Sequence, residues 1–178
     1  MSSFKPLLFA LLVLAVGGCG FRPLYTPPEE DVSGRSVYAF DIFKKVSIAN
    51  IPDREGQYFR NQLDMLLHPS GRSAATEYEL TVTLNEVTRN LAVKRSAVAT
   101  RANLTVTAGY SLKPVGESKE IHTGTVKTSS GYNIFQSEFQ TLMAEKGARE
   151  RALDDLAHQL RIRLATVLTT AITQTDKP

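Results

Sequence analysis

An α+β two-layer sandwich is predicted for this chain of 178 residues: a four-stranded sheet with two helices packed on one face, in the order β-α-β-β-β-α. Three observations predict it. Central segments alternate apolar and polar side chains with period two, the mark of half-buried strands. Two other segments repeat their apolar residues every three or four positions, as amphipathic helices do. In both kinds of segment the apolar residues fall on one side, so each element has one face to bury and one to leave wet.

The chain begins with Lys5 and an apolar run, Leu7 to Val16, that ends in Val16-Gly17-Gly18-Cys19. A positive start, a short apolar stretch and small residues before the cut make residues 1–18 a signal peptide. The run is about half of the ~20 apolar residues a bilayer-spanning helix needs. Val-Gly-Gly-Cys resembles the lipobox of bacterial lipoproteins, so Cys19 is expected to become the first mature residue and carry acyl chains. Residues 19–36 follow as a lipid-anchored tether, with Pro23, Pro27 and Pro28 beside Glu29, Glu30 and Asp31, a composition that favours extended, solvated backbone. Extended, it would let a domain sit up to roughly 50 Å from its lipid.

A single domain is expected over residues 37–175. Val37 to Ile48, rich in β-branched and aromatic residues, reads as the first strand. Pro52 opens a helix on which Tyr58, Phe59, Leu63, Leu66 and Leu67 share one face, ending near His68-Pro69. Gly56 within it is expected to cost about 1 kcal/mol relative to Ala. From Glu77 to Thr88, Tyr78, Leu80, Val82 and Leu84 alternate with Glu79, Thr81, Thr83 and Asn85. The pattern returns from Arg101 to Leu112, giving the second arm of a hairpin. Ile121 to Ser129 is a weaker strand in which Gly124 is read as a bulge, and the three form an antiparallel meander. Gln136 to Thr173 is a long helix with one apolar stripe that includes Phe139, Leu142, Met143, Leu153, Leu160 and Leu168. At 1.5 Å per residue it would run roughly 57 Å, longer than the sheet, so part of it should project or bend near Gly147.

Charge and cysteine content narrow the function. With Lys5 lost in the leader, the mature chain holds 20 basic against 18 acidic side chains, a balance unlike that of a general nucleic-acid binder. Cys19 is the single cysteine, so no internal disulfide can form and stability must come from packing. His68, His122 and His158 sit in no metal-ligand or nucleophile motif, and no phosphate-cradling loop is present, so neither cofactor nor catalytic set is expected. Asp154 and Asp155 lie at helical spacing for a surface ion pair with His158. The residues with the most chemistry are Arg89, Lys94, Arg95 and Arg101, gathered around the connection between the two best strands. They combine cations suited to phosphate oxygens with neighbouring Leu91, Val93 and Val98; the alternative is a solvated hairpin end kept soluble by its charge.

The mature chain as a whole resembles the lipopolysaccharide-assembly lipoprotein family LptE, in its alphaproteobacterial form. The matching residues are Gly18-Cys19-Gly20-Phe21-Arg22-Pro23-Leu24-Tyr25, Thr100-Arg101, Tyr110-Ser111-Leu112 and Ser130-Gly131-Tyr132-Asn133. Ala148, Arg151-Ala152-Leu153, Leu156-Ala157 and Arg163-Leu164-Ala165 complete the pattern on the long helix. The resemblance implies a small outer-membrane lipoprotein that associates with the barrel protein LptD, sits largely in its lumen and helps bring lipopolysaccharide to the outer leaflet. Gly20 is not the aspartate that retains lipoproteins at the inner membrane, which fits outer-membrane sorting. Two other readings stay open: a lipoprotein of the same shape serving another envelope complex, and a tethered periplasmic enzyme.

Overall fold

The computed structural model describes residues 42–69, 71–73, 75–93 and 99–175. The predicted signal peptide, the expected lipidation site Cys19 and the predicted tether lie outside the described residues. The elements are β1 (Val46–Ile48), α1 (Asp53–Leu67), β2 (Tyr78–Val93), β3 (Ala99–Pro114), β4 (His122–Asn133) and α2 (Glu138–Thr175). The predicted order β-α-β-β-β-α is the observed one.

The strands form one mixed sheet in the order β1-β2-β3-β4. β1 runs parallel to β2, with α1 as the crossover, and β2, β3 and β4 form the expected antiparallel meander. Inward side chains from Leu80 and Val82, from Ala102 to Leu112 in alternation, and from Val126 and Tyr132 meet Phe59, Leu63 and Leu67 of α1 and Leu153 to Leu168 of α2 in one core. Both helices therefore cover the same face. Thr81, Thr83 and Asn85 are exposed on the other, which carries no helix among the described residues.

The first strand is shorter than expected, three residues against a predicted span of Val37 to Ile48. Ile42 and Phe43 are helical instead, 4% and 3% exposed. A strand of a one-sided sheet can send only alternate side chains to the core, so two adjacent buried residues require the chain to leave the strand. Residues 37–41 of that prediction lie outside the described residues.

Gly56 is present because nothing larger fits. A Cβ there would lie 2.7 Å from Ile51 Cγ2 and 3.0 Å from the Ile51 carbonyl oxygen. The residue that weakens α1 by propensity thus lets the helix pack on its own approach segment. Gly124 has a similar role, and no bulge is found there, since β3 and β4 pair without a break from Arg101↔Asn133 to Leu112↔His122. Its missing side chain makes room for Tyr110 directly opposite: a Cβ would meet Tyr110 Oη at 2.7 Å. The ring crosses the glycine and brings its hydroxyl 3.3 Å from His122 Nε2. Gly124→Val is expected to cost about 1–3 kcal/mol by displacing that ring. A lowered denaturant midpoint with a perturbed Tyr110 signal would show it.

His68, which the sequence left without a role, fastens the end of α1 to the chain entering β1. Its buried imidazole donates from Nε2 to the carbonyls of Phe43 and Val46 at 2.9 and 3.0 Å, and Nδ1 faces Asp64 Oδ1 at 3.0 Å. Arg72 pairs with the same carboxylate. Burial pushes the Asp64 carboxyl up, but hydrogen bonds and charge from Arg72 and His68 outweigh it and hold the group below the ordinary carboxylate value. A depressed carboxylate stabilises the fold above its unfolded pKa and loses that contribution as pH falls through the folded one. Asp64→Asn is therefore expected to lower stability at neutral pH and to flatten the loss below about pH 4. Denaturant midpoints taken from pH 7 to 2 would check the sign.

Candidate functional site

α2 is longer than the sheet it covers, and this sets the character of one end of the molecule. The helix runs unbroken through Gly147 for 38 residues. Its fully buried stripe begins at Ala148 and ends at Leu168. The preceding turns overhang, so Phe139, Leu142 and Met143, read from the sequence as core, are 71%, 62% and 48% exposed. Periodicity cannot register where the surface beneath a helix stops. Phe135, before the helix, is also exposed.

Under the overhang a polar network replaces the apolar stripe. Glu86 points inward from β2, and Arg149 Nε donates to its Oε2 at 2.9 Å while Nη2 donates to Glu145 Oε1 at 2.8 Å. Those hydrogen bonds, Glu86's first, hold the Arg149 guanidinium above its ordinary pKa against the opposing effect of burial. Tyr132 lies beside Glu145, and its hydroxyl is pushed up by burial first and by the Glu145 charge next. Glu86 Oε1 is buried without a hydrogen-bond partner among the described residues. The set joins β2, β4 and α2 where Leu84 gives way to a charged inward residue. Sequence reasoning missed it; a glutamate on the apolar parity of a strand was the available signal.

Of the predicted basic residues, Arg101 lies on β3 as expected, and Arg89 lies on β2, which runs on past the expected strand end at Thr88 to Val93. Arg89 is paired with Asn103 and Arg101 with Ala92, so the two arginines are diagonal neighbours on the open face of the sheet. Both are exposed, as is Leu91 beside them. Lys94 and Arg95, and Val98 with them, lie outside the described residues. Arg101 leans toward β4: its Nη2 would be 3.6 Å from a Cβ on Gly131. There it lines a shallow cleft with Arg151 of α2, Tyr132, Phe135 and Met143. Arg151 was not among the predicted residues, because nothing in the sequence separates it from other helix-surface cations.

Asp154 does not pair with His158 as spacing suggested; it accepts a hydrogen bond from Tyr58 Oη of α1 at 3.2 Å. Among the described residues no group of three or more His, Cys, Asp or Glu is placed to hold a metal ion, and no helix is long and apolar enough to cross a membrane.

Comparison with solved structures identifies the architecture as one recorded for several bacterial lipoproteins. A crystal structure described as that of a lipoprotein from Caulobacter crescentus CB15 matches with a TM-score of 0.61 at 21% identity, covering 74% of this chain and 96% of that one. A minor lipoprotein from Acinetobacter baumannii matches with a TM-score of 0.55 at 19% identity, over 70% of this chain and 94% of that one. Lipoprotein B from Nitrosomonas europaea, uncharacterized, gives 0.55 at 12% identity over 72% and 86%. At these identities the likeness is one of fold. No curated protein matches the chain in sequence. The family model of LptE, lipopolysaccharide-assembly, matches residues 43–164, and the chain belongs to that family.

Proposed function

We propose that this protein is a lipid-anchored outer-membrane component of the lipopolysaccharide-assembly machinery, which binds an LptD-like β-barrel and helps deliver lipopolysaccharide to the outer leaflet without catalysing a reaction. The family match across nearly the whole folded domain carries this reading. The open face of the sheet supports it. Thr81, Thr83, Asn85, Thr105 and Thr107 offer hydrogen-bonding groups without charge, which suits a hydrated barrel interior. Cys19 is the proposed anchor, and Arg89, Lys94, Arg95 and Arg101 are the proposed contact with lipid A phosphates or with the barrel wall. An enzyme would need convergent polar groups in a pocket, and the aspartate beside His158 is already engaged by Tyr58.

Exposed charge-assisted pairs are individually weak, so the test changes Lys94 and Arg95 together to Glu. The fold is expected to persist by circular dichroism, and lipopolysaccharide binding to fall about tenfold or more. Binding of the barrel is measured separately. Loss of barrel binding alone would move the cluster to the protein interface, and no loss of either would return it to a solvated hairpin end. Co-purification of a large β-barrel from membranes tests the partner itself.

A further inference from the structure

We propose that the free edge of β4 docks an extended, acidic segment of a partner protein, which adds to the sheet as a fifth strand and sets carboxylates against Arg101 and Arg151. Among the described residues β4 ends the strand order, and it pairs with β3 through twelve consecutive positions. The Ile134 N–H donates to the Thr100 carbonyl at 3.0 Å. The alternation of an antiparallel ladder then turns the backbone groups of even-numbered residues toward β3. Those of Thr123, Thr125, Lys127, Ser129, Gly131 and Asn133 point to the free side, and all six residues are exposed. Sheets normally blunt such an edge with proline, bulges, repeated charges or a short strand. β4 has Lys127 and none of the others. An edge this long and regular fits strand addition, in which main-chain hydrogen bonds supply affinity and side chains supply selectivity.

The cleft at the end of β4 specifies the sign of the segment. Arg101 and Arg151 both line it, no carboxylate does, and neither arginine has an ion-pair partner among the described residues. Phe135 and Met143 supply apolar surface beside them. A second copy of this chain complements the edge poorly, because β4 holds Lys127 and His122 and no Asp or Glu. Of these groups only Arg101 belongs to the basic set assigned above to lipopolysaccharide or the barrel wall. Arg151 and the β4 backbone do not, so the two assignments fail separately.

The experiment titrates the mature chain with an octapeptide alternating threonine and glutamate, read by chemical shift and hydrogen exchange of the β4 amides. Saturable binding with slowed exchange at Ser129 and Gly131 is expected. An octapeptide N-methylated on every residue keeps the charge but has no N–H left to pair along either edge, and it should not bind. Combined R101E and R151E substitutions should weaken the parent peptide at least about tenfold, and replacing its glutamates by glutamine should do the same. Equal binding of the N-methylated peptide, or no change in β4 exchange up to millimolar peptide, would overturn strand addition. Protection of the same amides that rises with protein concentration and no peptide would assign the edge to a second copy and overturn the proposal as well.

Discussion

Leu160→Asp is expected to leave the chain without a cooperative melting transition. Leu160 is 0% exposed at the middle of α2, between Leu156 and Leu164 in the same core. An ionised carboxylate there has no partner within the apolar stripe, and burying it costs several kcal/mol, comparable to the ~5–15 kcal/mol that holds a domain of this size together. Leu142→Asp is the matched control. It makes the same chemical change on the same helix, but at a position 62% exposed, and should shift stability by less than about 0.5 kcal/mol. Thermal denaturation followed by circular dichroism separates the two. A wild-type melting curve for Leu160→Asp would show that the stripe does not form the core.

Cys19→Ala is expected to convert a membrane-bound protein into one released by a salt wash, with the domain still folded. Each buried CH₂ of an acyl chain contributes about 0.8 kcal/mol, so several chains on one cysteine form an anchor that does not exchange, and their loss removes it entirely. No helix among the described residues offers a substitute span. The measurement is flotation of the variant with membranes in cells lacking the proposed barrel partner, so that protein contacts do not mask the effect. Continued flotation after the wash would place the anchor elsewhere.

The elements whose geometry is local were legible in the sequence. Alternation set the inward rows of β2 and β3, because each strand is wet on one face and every other residue reports its side. Pro52 and His68-Pro69 bracketed α1, where φ restriction and the missing N–H act on the chain directly. What escaped was set by neighbours distant in sequence. Phe139, Leu142 and Met143 fit the apolar period of α2 and are exposed only because the sheet ends first. Glu86 was silent until Arg149, 63 residues away, was seen to pair with it. The cation cluster was half legible: Arg89 and Arg101 do come together, with Arg89 on a strand that runs further than its alternation showed, and the cleft partner Arg151 arrives from a helix that no spacing rule connects to them.

The pairing of Tyr110 with Gly124 bears on how one arrangement of the meander is chosen over its near equivalents. Sliding β4 by one position against β3 would send its inward side chains to the wet face, and the alternating pattern forbids it. Sliding by two positions would not: apolar residues would still face the helices, and the ladder would re-form with nearly the same number of hydrogen bonds. Such frames differ mainly in what lies under the Tyr110 ring. In the native frame it is a residue with no side chain. Two positions either way it would be His122 or Val126, and the ring would have to leave the core. A tyrosine and a glycine thus act as a key and its notch, distinguishing between frames that hydrophobicity alone scores alike.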